Sequence, residues 1–233
     1  MKYDKNYSIH NELYKSARAA GDVAWGGDKD GVRFKNWKET LESFSLLDFF
    51  PKKGKLLDLG CGNGTVALQM AEKGYEVTGI DISEEAIKWA VEKSSDAKLV
   101  VDFKVGNVTD LSNYDDNFFD VIIDSNCLHC IIGDDRKKLL EEVDRVLSPH
   151  GVIYISTQCG VREFKNMEYV FDEESRCMIY NGIAYRYFGR PEDVINEIEG
   201  VGLKIIKSTV DFNANKHLKL FATKSNQKHE LGI

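Results

Sequence analysis

The segment LLDLGCGNGTVAL, residues 56 to 68, combines glycines with a carboxylate in a pattern that could bind a ligand. A short apolar run contains Asp58, and glycines follow at positions 60, 62 and 64 before a helical pattern begins. Glycine permits a tight turn and a close approach of the backbone to a ligand, and the start of a helix offers unpaired amides. The segment is therefore typical of a nucleotide-binding loop.

The spacing of this loop differs from that of a dinucleotide-binding loop. The fingerprint G-x-G-x-x-G requires glycine at position 65, where this chain has Thr65. A carboxylate at Asp58 would repel a pyrophosphate and attract a positively charged group. The glycines alone are equally consistent with a plain strand-to-helix turn, so the acid carries the ligand prediction.

A second acid, Asp81, ends the next apolar run, 21 residues after Gly60. An acid at about this offset from a glycine loop accepts hydrogen bonds from ribose hydroxyls. A ribose at one end of the ligand and a positive charge at the other describe S-adenosylmethionine. We therefore expect S-adenosylmethionine as the cofactor.

Short apolar runs alternate with helical patterns from Gly54 onward, which predicts a parallel sheet covered by helices on both faces. The runs are continuously apolar, as in strands that are buried on both sides. The last two runs, LKIIKSTVDF and HLKLFATK, are joined by NANK and predict an antiparallel hairpin at the sheet edge. The predicted fold is α/β, doubly wound, with a mostly parallel seven-stranded sheet and an antiparallel C-terminal hairpin strand.

Local patterns predict several boundaries. Ser83 can cap a helix that has Glu84 and Glu85 in its first turn, and Lys73 with Gly74 can end the preceding helix. SPHG at residues 148–151 predicts a turn between a helix and a strand.

Two further helices are predicted at residues 7–20 and 34–50. We predict that residues 1–53 form a helical lid and residues 54–233 a Rossmann-like domain, with a cover inserted at about residues 160–189, after the fifth strand.

Composition restricts the class of protein. A chain of 233 residues with 42% hydrophobic and 30% charged residues predicts one main globular domain. The net charge of −7 disfavours a nucleic-acid partner. No apolar run approaches the length of a membrane span, and five cysteines without a paired framework fit a reducing compartment. We expect a cytoplasmic monomer or homodimer with a small-molecule substrate and no membrane partner.

Five segments occur in the order and spacing of a known family: LLDLGCGNG, GIDIS, VGNVTDL, FDVIIDSNCLHCI and RVLSPHGVIYIS. Over residues 54–157 the chain resembles the class I S-adenosylmethionine-dependent methyltransferases. The resemblance implies that the methionine part of the cofactor lies beside the loop, the ribose beside the next strand end, the adenine beyond it, and the sulfonium beside the fourth strand. The positions concerned are, in that order, Asp58, Gly60, Cys61 and Gly62; Asp81; Ile82, Asn107 and Val108; Asp124 and Ser125. Family members often have Asp where this chain has Asn107, so the polarity of that contact is open.

The methyl acceptor is harder to predict. The signatures of nucleobase methyltransferases are missing after the fourth strand, and STQCG stands where catechol-type enzymes carry an Asp-Asn pair, which disfavours magnesium. The CLHC tetrad lacks the second half of a zinc site, so we expect no metal. His129, at a position where relatives often have histidine, could accept the proton of the acceptor, or it could be structural.

The insertion is rich in aromatic residues and arginines, which suit a planar or carboxylate-bearing small molecule. Alternatively, its alternating residues form strands of a structural cover. Residues predicted to bind the acceptor are Tyr14, Trp25, Arg33, Arg162 and Arg186. The sequence thus predicts a methyltransferase acting on N, O or S of a small metabolite. A tRNA or protein methyltransferase, or a non-catalytic cofactor-binding module, remains an alternative.

Overall fold

A computed structural model describes residues 3–25, 31–160, 169–211 and 216–225. Arg162 lies outside the described residues, as does most of the NANK connection. None of the helices in the described ranges is long and apolar enough to cross a membrane.

The secondary structure alternates between strands and helices through the middle of the chain. The N-terminal elements are β1 (Asp4–Lys5), α1 (Ile9–Ala19) and α2 (Val32–Phe44). The central elements are β2 (Lys55–Leu59), α3 (Thr65–Glu72), β3 (Glu76–Asp81), α4 (Glu84–Ala97), β4 (Asp102–Val105), β5 (Phe119–Ser125), a short 3-10 helix (Leu128–Cys130), α5 (Asp134–Val146) and β6 (Leu147–Gln158). The remaining elements are β7 (Tyr169–Asp172), β8 (Cys177–Tyr180), β9 (Ile183–Tyr187), α6 (Pro191–Glu199), β10 (Leu203–Asp211) and β11 (His217–Lys224).

Seven strands form the main sheet in the order β10-β11-β6-β5-β2-β3-β4. Strand β11 runs antiparallel to both of its neighbours, and the other pairings are parallel. The predicted doubly wound sheet and its C-terminal hairpin are therefore confirmed. Successive strands run outward in both directions from the β2–β5 pair, and ligands of such sheets bind where the order reverses, at the carboxyl ends of the strands.

The main sheet is buried on both faces because consecutive residues of a strand point to opposite sides. On β2, Leu57 packs into one hydrophobic cluster and Leu56 into the other. Ile122 and Ile123 of β5 are divided in the same way, and all four side chains are 0% exposed. The continuously apolar strands thus hold the carboxyl ends of β2, β3 and β5 in fixed positions.

Two of the predicted helix boundaries are confirmed. The Ser83 hydroxyl accepts a hydrogen bond from the amide of Ala86, 3.0 Å away, at the start of α4. Gly74, with φ +89°, follows the last turn of α3. That left-handed conformation is the usual reason for glycine after a helix.

Two other predictions were wrong in extent. The helix predicted at 34–50 begins at Val32 and ends at Phe44, where the Lys52 ammonium donates to the carbonyls of Ser45 and Leu47 and so satisfies the free end of the helix. The SPHG segment is not a turn, because β6 continues through it as a bulge: Leu147 pairs with Phe119, and the next pairs start at Val152.

The insertion forms a second sheet with the strand order β1-β9-β8-β7. Its inner face packs against Ile132, using Cys177, Ile179 and Ala184. The described part of the insertion, from residue 169 on, therefore forms strands, as one of the two alternatives predicted. Strand β1 joins the same sheet, because Asp4 pairs with Ile183 in parallel register. The proposed division of the chain at residue 53 stays a prediction, but the first strand belongs structurally with the insertion.

Helix α1 is attached to the start of α4. Asn11 accepts hydrogen bonds from the Ser83 hydroxyl and the Glu85 amide, each at 3.0 Å. Arg18 forms ion pairs with Glu85 and Glu92, both at 2.7 Å. The N-terminal helix therefore covers the carboxyl edge of the sheet beside β3.

Candidate functional site

A cavity of about 940 Å³ lies at the carboxyl ends of β2, β3 and β5, beneath α1 and the insertion. A volume near this size suits a small-molecule site. The structure brings most of the predicted cofactor residues together around it. Its lining includes Gly60, Cys61, Gly62, Asp81, Ile82, Asn107, Val108 and Ser125, whereas Asp58 and Asp124 are not part of the lining.

Asp81 stands at the end of β3 with its carboxylate directed at the glycine loop. One oxygen accepts from the amide of Gly62 and the other from the amide of Ser83, both at 2.9 Å. Each carboxylate oxygen has a second lone pair for a ligand. Burial raises the pKa of Asp81, although the two amides oppose that shift. The geometry leaves a fixed acceptor at the place predicted for the ribose.

Asp58 lies beneath the loop. Its side chain is 0% exposed, one oxygen accepts from the Ala67 amide at 3.1 Å, and the other has no hydrogen-bond partner. Burial, and then the nearby charges of Asp124 and Asp81, raise the pKa of Asp58 far above its usual range. The raised pKa disfavours the charged form of Asp58 in the absence of a ligand, and its direct contact with a ligand stays a prediction.

Asp124 shapes the turn that follows β5. Its two oxygens accept from the amides of Cys127 and Leu128, at 2.9 and 2.8 Å. Burial raises the pKa of Asp124 to about 7, although both amides lower it. This carboxylate therefore fixes the backbone after β5, where Ser125 lines the cavity. The prediction that the backbone at Asp124 and Ser125 lies beside the sulfonium is compatible with this arrangement.

The positions predicted for the adenine differ in chemistry. Ile82 leaves 37% of its side chain exposed on the cavity wall, whereas Val108 is 6% exposed. A partly exposed isoleucine there suits a flat apolar ring. The Asn107 oxygen already accepts from the Thr109 amide at 3.0 Å, so its amide group remains to donate. Asn107 can therefore meet the adenine with its NH2 group as a donor or with the second lone pair of its oxygen as an acceptor.

The carboxylates at this end of the cavity lack compensating charges. Among the described residues, neither Asp58 nor Asp81 forms an ion pair with a basic side chain. Burial without a basic partner disfavours the charged form of a carboxyl group, and a nearby cation offsets the free-energy cost of that charge. The residues present therefore fit S-adenosylmethionine, which carries an ammonium and a sulfonium.

Tyr14 and Trp25 lie on the wall formed by the N-terminal segment. Their rings are 4.6 Å apart, and Tyr14 is only 8% exposed. The Tyr14 hydroxyl approaches the loop so closely that a Cβ added at Gly62 would lie 2.3 Å from it. Arg33 also lines the cavity. Their roles toward an acceptor stay predictions.

The opposite end of the cavity is basic and aromatic. His129 is fully buried, and its Nε2 lies 2.9 Å from an Arg186 Nη atom. A guanidinium only donates, so the 2.9 Å contact requires Nε2 to accept, whereas the Gln158 amide, 3.5 Å from Nδ1, would require Nδ1 to accept. The shorter contact favours the tautomer with the ring proton on Nδ1. The Thr157 hydroxyl lies 3.5 Å from that nitrogen. A role for His129 as a proton acceptor stays a prediction. In this geometry the lone pair of Nε2 already accepts a hydrogen bond from Arg186.

Several cavity residues were not predicted from the sequence. His10 and His217 line the wall, and His217 Nε2 lies 2.8 Å from the Asn126 side-chain oxygen. Asn126 has φ +77°, a conformation that is uncommon outside glycine and often marks functional sites. His10 precedes Tyr14 by four residues, so the spacing of one helical face could have indicated it.

The stability of the protein should depend on His10 in mildly acidic solution. Burial, and then the charge of Arg186, lower the pKa of His10 from 6.5 to about 4. The unfolded chain therefore takes up a proton that the folded state refuses, and stability present above pH 6.5 is lost as the pH falls toward about 4. The slope from this one group is at most about 1.4 kcal/mol per pH unit.

We expect His10→Gln to remove this dependence. Chemical unfolding of both proteins at several pH values should show wild type losing stability relative to the variant as the pH falls. His150→Gln makes the same substitution at an exposed position and serves as the control. If the free energies of unfolding of wild type and His10→Gln changed with pH in the same way, the prediction that His10 stays neutral in the folded state would be wrong.

Within the described ranges, no group of three side chains among His, Cys, Asp and Glu could hold a metal ion.

Residues 57–155 match a family described as "Methyltransferase domain". The chain is 35% identical over 121 residues to YqeM of Bacillus subtilis, which is named as a methyltransferase; the match covers 52% of this chain and 47% of YqeM. It is 38% identical over 124 residues to phosphoethanolamine N-methyltransferase 1 of Zea mays, covering 52% of this chain and 23% of that protein.

A third relative is shorter. The uncharacterized methyltransferase C750.03c of Schizosaccharomyces pombe is 32% identical over 111 residues, which are 48% of this chain and 76% of that protein. The chain belongs to the S-adenosylmethionine-dependent methyltransferases. The prediction of a class I methyltransferase with S-adenosylmethionine as its cofactor is therefore confirmed.

Solved structures agree with the fold of this methyltransferase. A methyltransferase of Methanosarcina mazei, described as SAM-dependent, is 25% identical with a TM-score of 0.61, and the match covers 76% of this chain and 95% of that one. The PH0226 protein of Pyrococcus horikoshii, 22% identical, has a TM-score of 0.72 over 90% of this chain and 98% of its own. Because the match with PH0226 covers 90% of this chain, the similarity in fold also includes segments outside residues 57–155.

Proposed function

We propose that this methyltransferase transfers a methyl group from S-adenosylmethionine to a nitrogen, oxygen or sulfur of a small metabolite. The observation that carries this proposal is the half-open cavity, which has Asp81 at its glycine-loop end and the basic and aromatic side chains of His10, His129 and Arg186 on its other walls. Bound S-adenosylmethionine supplies the electrophilic methyl group. The chain has to bind the cofactor, orient the acceptor and exclude water.

The position of the cavity favours a small acceptor. It is bounded on one side by Tyr14 of α1 and by Trp25, which follows that helix, and on another side by Arg186 of the insertion. A protein side chain or a tRNA base would have to enter between these segments. The names of relatives do not decide between acceptors, since the maize relative is a phosphoethanolamine N-methyltransferase and a relative in Bos taurus is an eEF1A lysine and N-terminal methyltransferase. Cytoplasmic localisation and a monomer or homodimer remain predictions from the sequence.

Calorimetry with S-adenosylmethionine and S-adenosylhomocysteine tests the cofactor half of the proposal. Binding of both, with a stoichiometry near one, is expected. The acceptor half needs a mass-spectrometric search for products that gain one methyl group in a mixture of small metabolites, with bulk protein and tRNA as separate samples. Methylation confined to the protein or tRNA sample would overturn the small-molecule proposal.

A further inference from the structure

Arg186 is a cavity cation without an anionic partner. It lies on β9, is partly buried, and lines the cavity. No carboxylate among the described residues forms an ion pair with it, and the titratable side chains that contribute to its raised pKa are a thiol and two phenols, those of Cys130, Tyr185 and Tyr169. Buried cations are normally paired, because the loss of hydration is costly. Among the described residues no carboxylate supplies the missing anion, and a bound ligand can supply it.

The guanidinium is held in place by contacts that leave donors free. One Nη lies 2.9 Å from His129 Nε2, and the other donates to the Tyr185 hydroxyl at 3.4 Å. The guanidinium also lies over the Tyr185 ring, 5.0 Å from its centroid. Arginine has five N–H donors in a fixed fork, so about three remain available. Such a fork binds a carboxylate or phosphate through two parallel hydrogen bonds.

The described neighbours of Arg186 leave its positive charge available to a ligand. His10 is stacked on Tyr185 with ring centroids 6.0 Å apart, and the lowered pKa of His10 keeps it neutral at neutral pH. The acids Asp58 and Asp81 belong to the glycine-loop end of the cavity. An acceptor with a negative group would place that group at Arg186 and leave its remainder facing the cofactor end.

We propose that the methyl acceptor carries a carboxylate or phosphate group and that Arg186 binds this group. His129 acts as a positioning residue, because its Nε2 fixes the guanidinium. The proposal rests on the proposed function, since it names the class of acceptor. It predicts that the site binds a simple anion while the cofactor is in place.

Calorimetry with the full chain saturated with S-adenosylhomocysteine tests this proposal, using acetate, benzoate and inorganic phosphate as probes. We expect at least one probe to bind wild type with a millimolar dissociation constant. Stronger binding of benzoate or acetate would identify a carboxylate, and stronger binding of phosphate would identify a phosphate ester. Arg186→Gln should weaken the preferred probe at least tenfold and leave the affinity for S-adenosylhomocysteine within twofold.

The matched control is Arg190→Gln, which removes the same charge from an exposed arginine just after the insertion. It should bind the probe as wild type does. Arg186→Lys, which keeps the charge but not the fork, guards against a folding defect and should show a severalfold loss. Three outcomes would overturn the proposal: no probe binds wild type, both arginine-to-glutamine variants lose the probe equally, or Arg186→Gln loses S-adenosylhomocysteine itself. A failure of wild type to bind S-adenosylhomocysteine would instead refute the proposed function.

Discussion

Replacing Asp81 with alanine will weaken the binding of S-adenosylhomocysteine by about a hundredfold. The carboxylate stands where the ribose hydroxyls are predicted to bind, and it also holds the amides of Gly62 and Ser83. A hydrogen bond to a charged group is worth about 1.5–3 kcal/mol, and every 1.4 kcal/mol is about tenfold in affinity. Two lost ribose contacts therefore account for the expected change, which calorimetry can measure directly.

Two variants make this result interpretable. Asp102→Ala removes an exposed aspartate at the start of β4, where the ion pair with Lys104 is solvent-exposed and worth little. It should bind S-adenosylhomocysteine as wild type does. Asp81→Asn keeps an acceptor for one backbone amide and guards against collapse of the loop. If Asp81→Ala folds and keeps its full affinity, the ribose binds elsewhere.

Adding one methyl group at Gly62 is expected to destabilise the protein by about 2–3 kcal/mol, because it combines backbone strain with overpacking. Gly62 has φ +55°, and the new Cβ would lie 2.3 Å from the Tyr14 hydroxyl. Tyr14 cannot retreat easily, since it is buried against Trp25 and packs in a cluster with Trp89. Binding of S-adenosylhomocysteine should fall at least tenfold, because the loop amide that bonds Asp81 shifts as well.

A glycine elsewhere in the chain separates the two causes. Gly74 has φ +89°, but nothing lies within 4 Å of its Cβ position, so Gly74→Ala carries the backbone strain alone, about 1 kcal/mol. The pair Gly62→Ala and Tyr14→Phe tests the contact itself, because the next Tyr14 atom would lie 3.3 Å away. Thermal and chemical unfolding should show that Tyr14→Phe restores part of the stability of Gly62→Ala. Equal losses at Gly62 and Gly74 would show that the contact with Tyr14 is unimportant.

The sequence predicted the main sheet and the glycine loop well, because both depend on local patterns. Apolar runs such as the one containing Leu56 and Leu57 have few alternatives to a strand that is buried on both faces. Asp81 could be placed because it ends such a run at a characteristic distance from Gly60. Asp58 and Asp81 were both expected to contact the ligand. The spacing of residues along the sequence does not show how deeply a side chain is buried, and Asp58 lies beneath the loop.

The acceptor end could not be predicted to the same degree. His10, Arg186 and His217 lie far apart along the chain, and single histidines carry no pattern that distinguishes a cavity wall from a surface. The contact between Arg186 and His129 joins residues 57 positions apart, one on β9 and the other in the 3-10 helix that follows β5. Only the tertiary structure shows that the arginine has no acidic partner among the described residues and that the histidine lone pair is in use.

The pairing of β1 with β9 has a consequence for engineering. Two residues near the start of the chain, Asp4 and Lys5, complete the edge of a sheet whose other strands come from the insertion. Tyr7, just after them, accepts from the Ile132 amide and donates to Asp135, beside the same insertion. A chimera that transplants the insertion into a related methyltransferase must carry the first few residues with it. Acceptor specificity would then be inherited through two distant stretches of sequence that are exchanged as one unit.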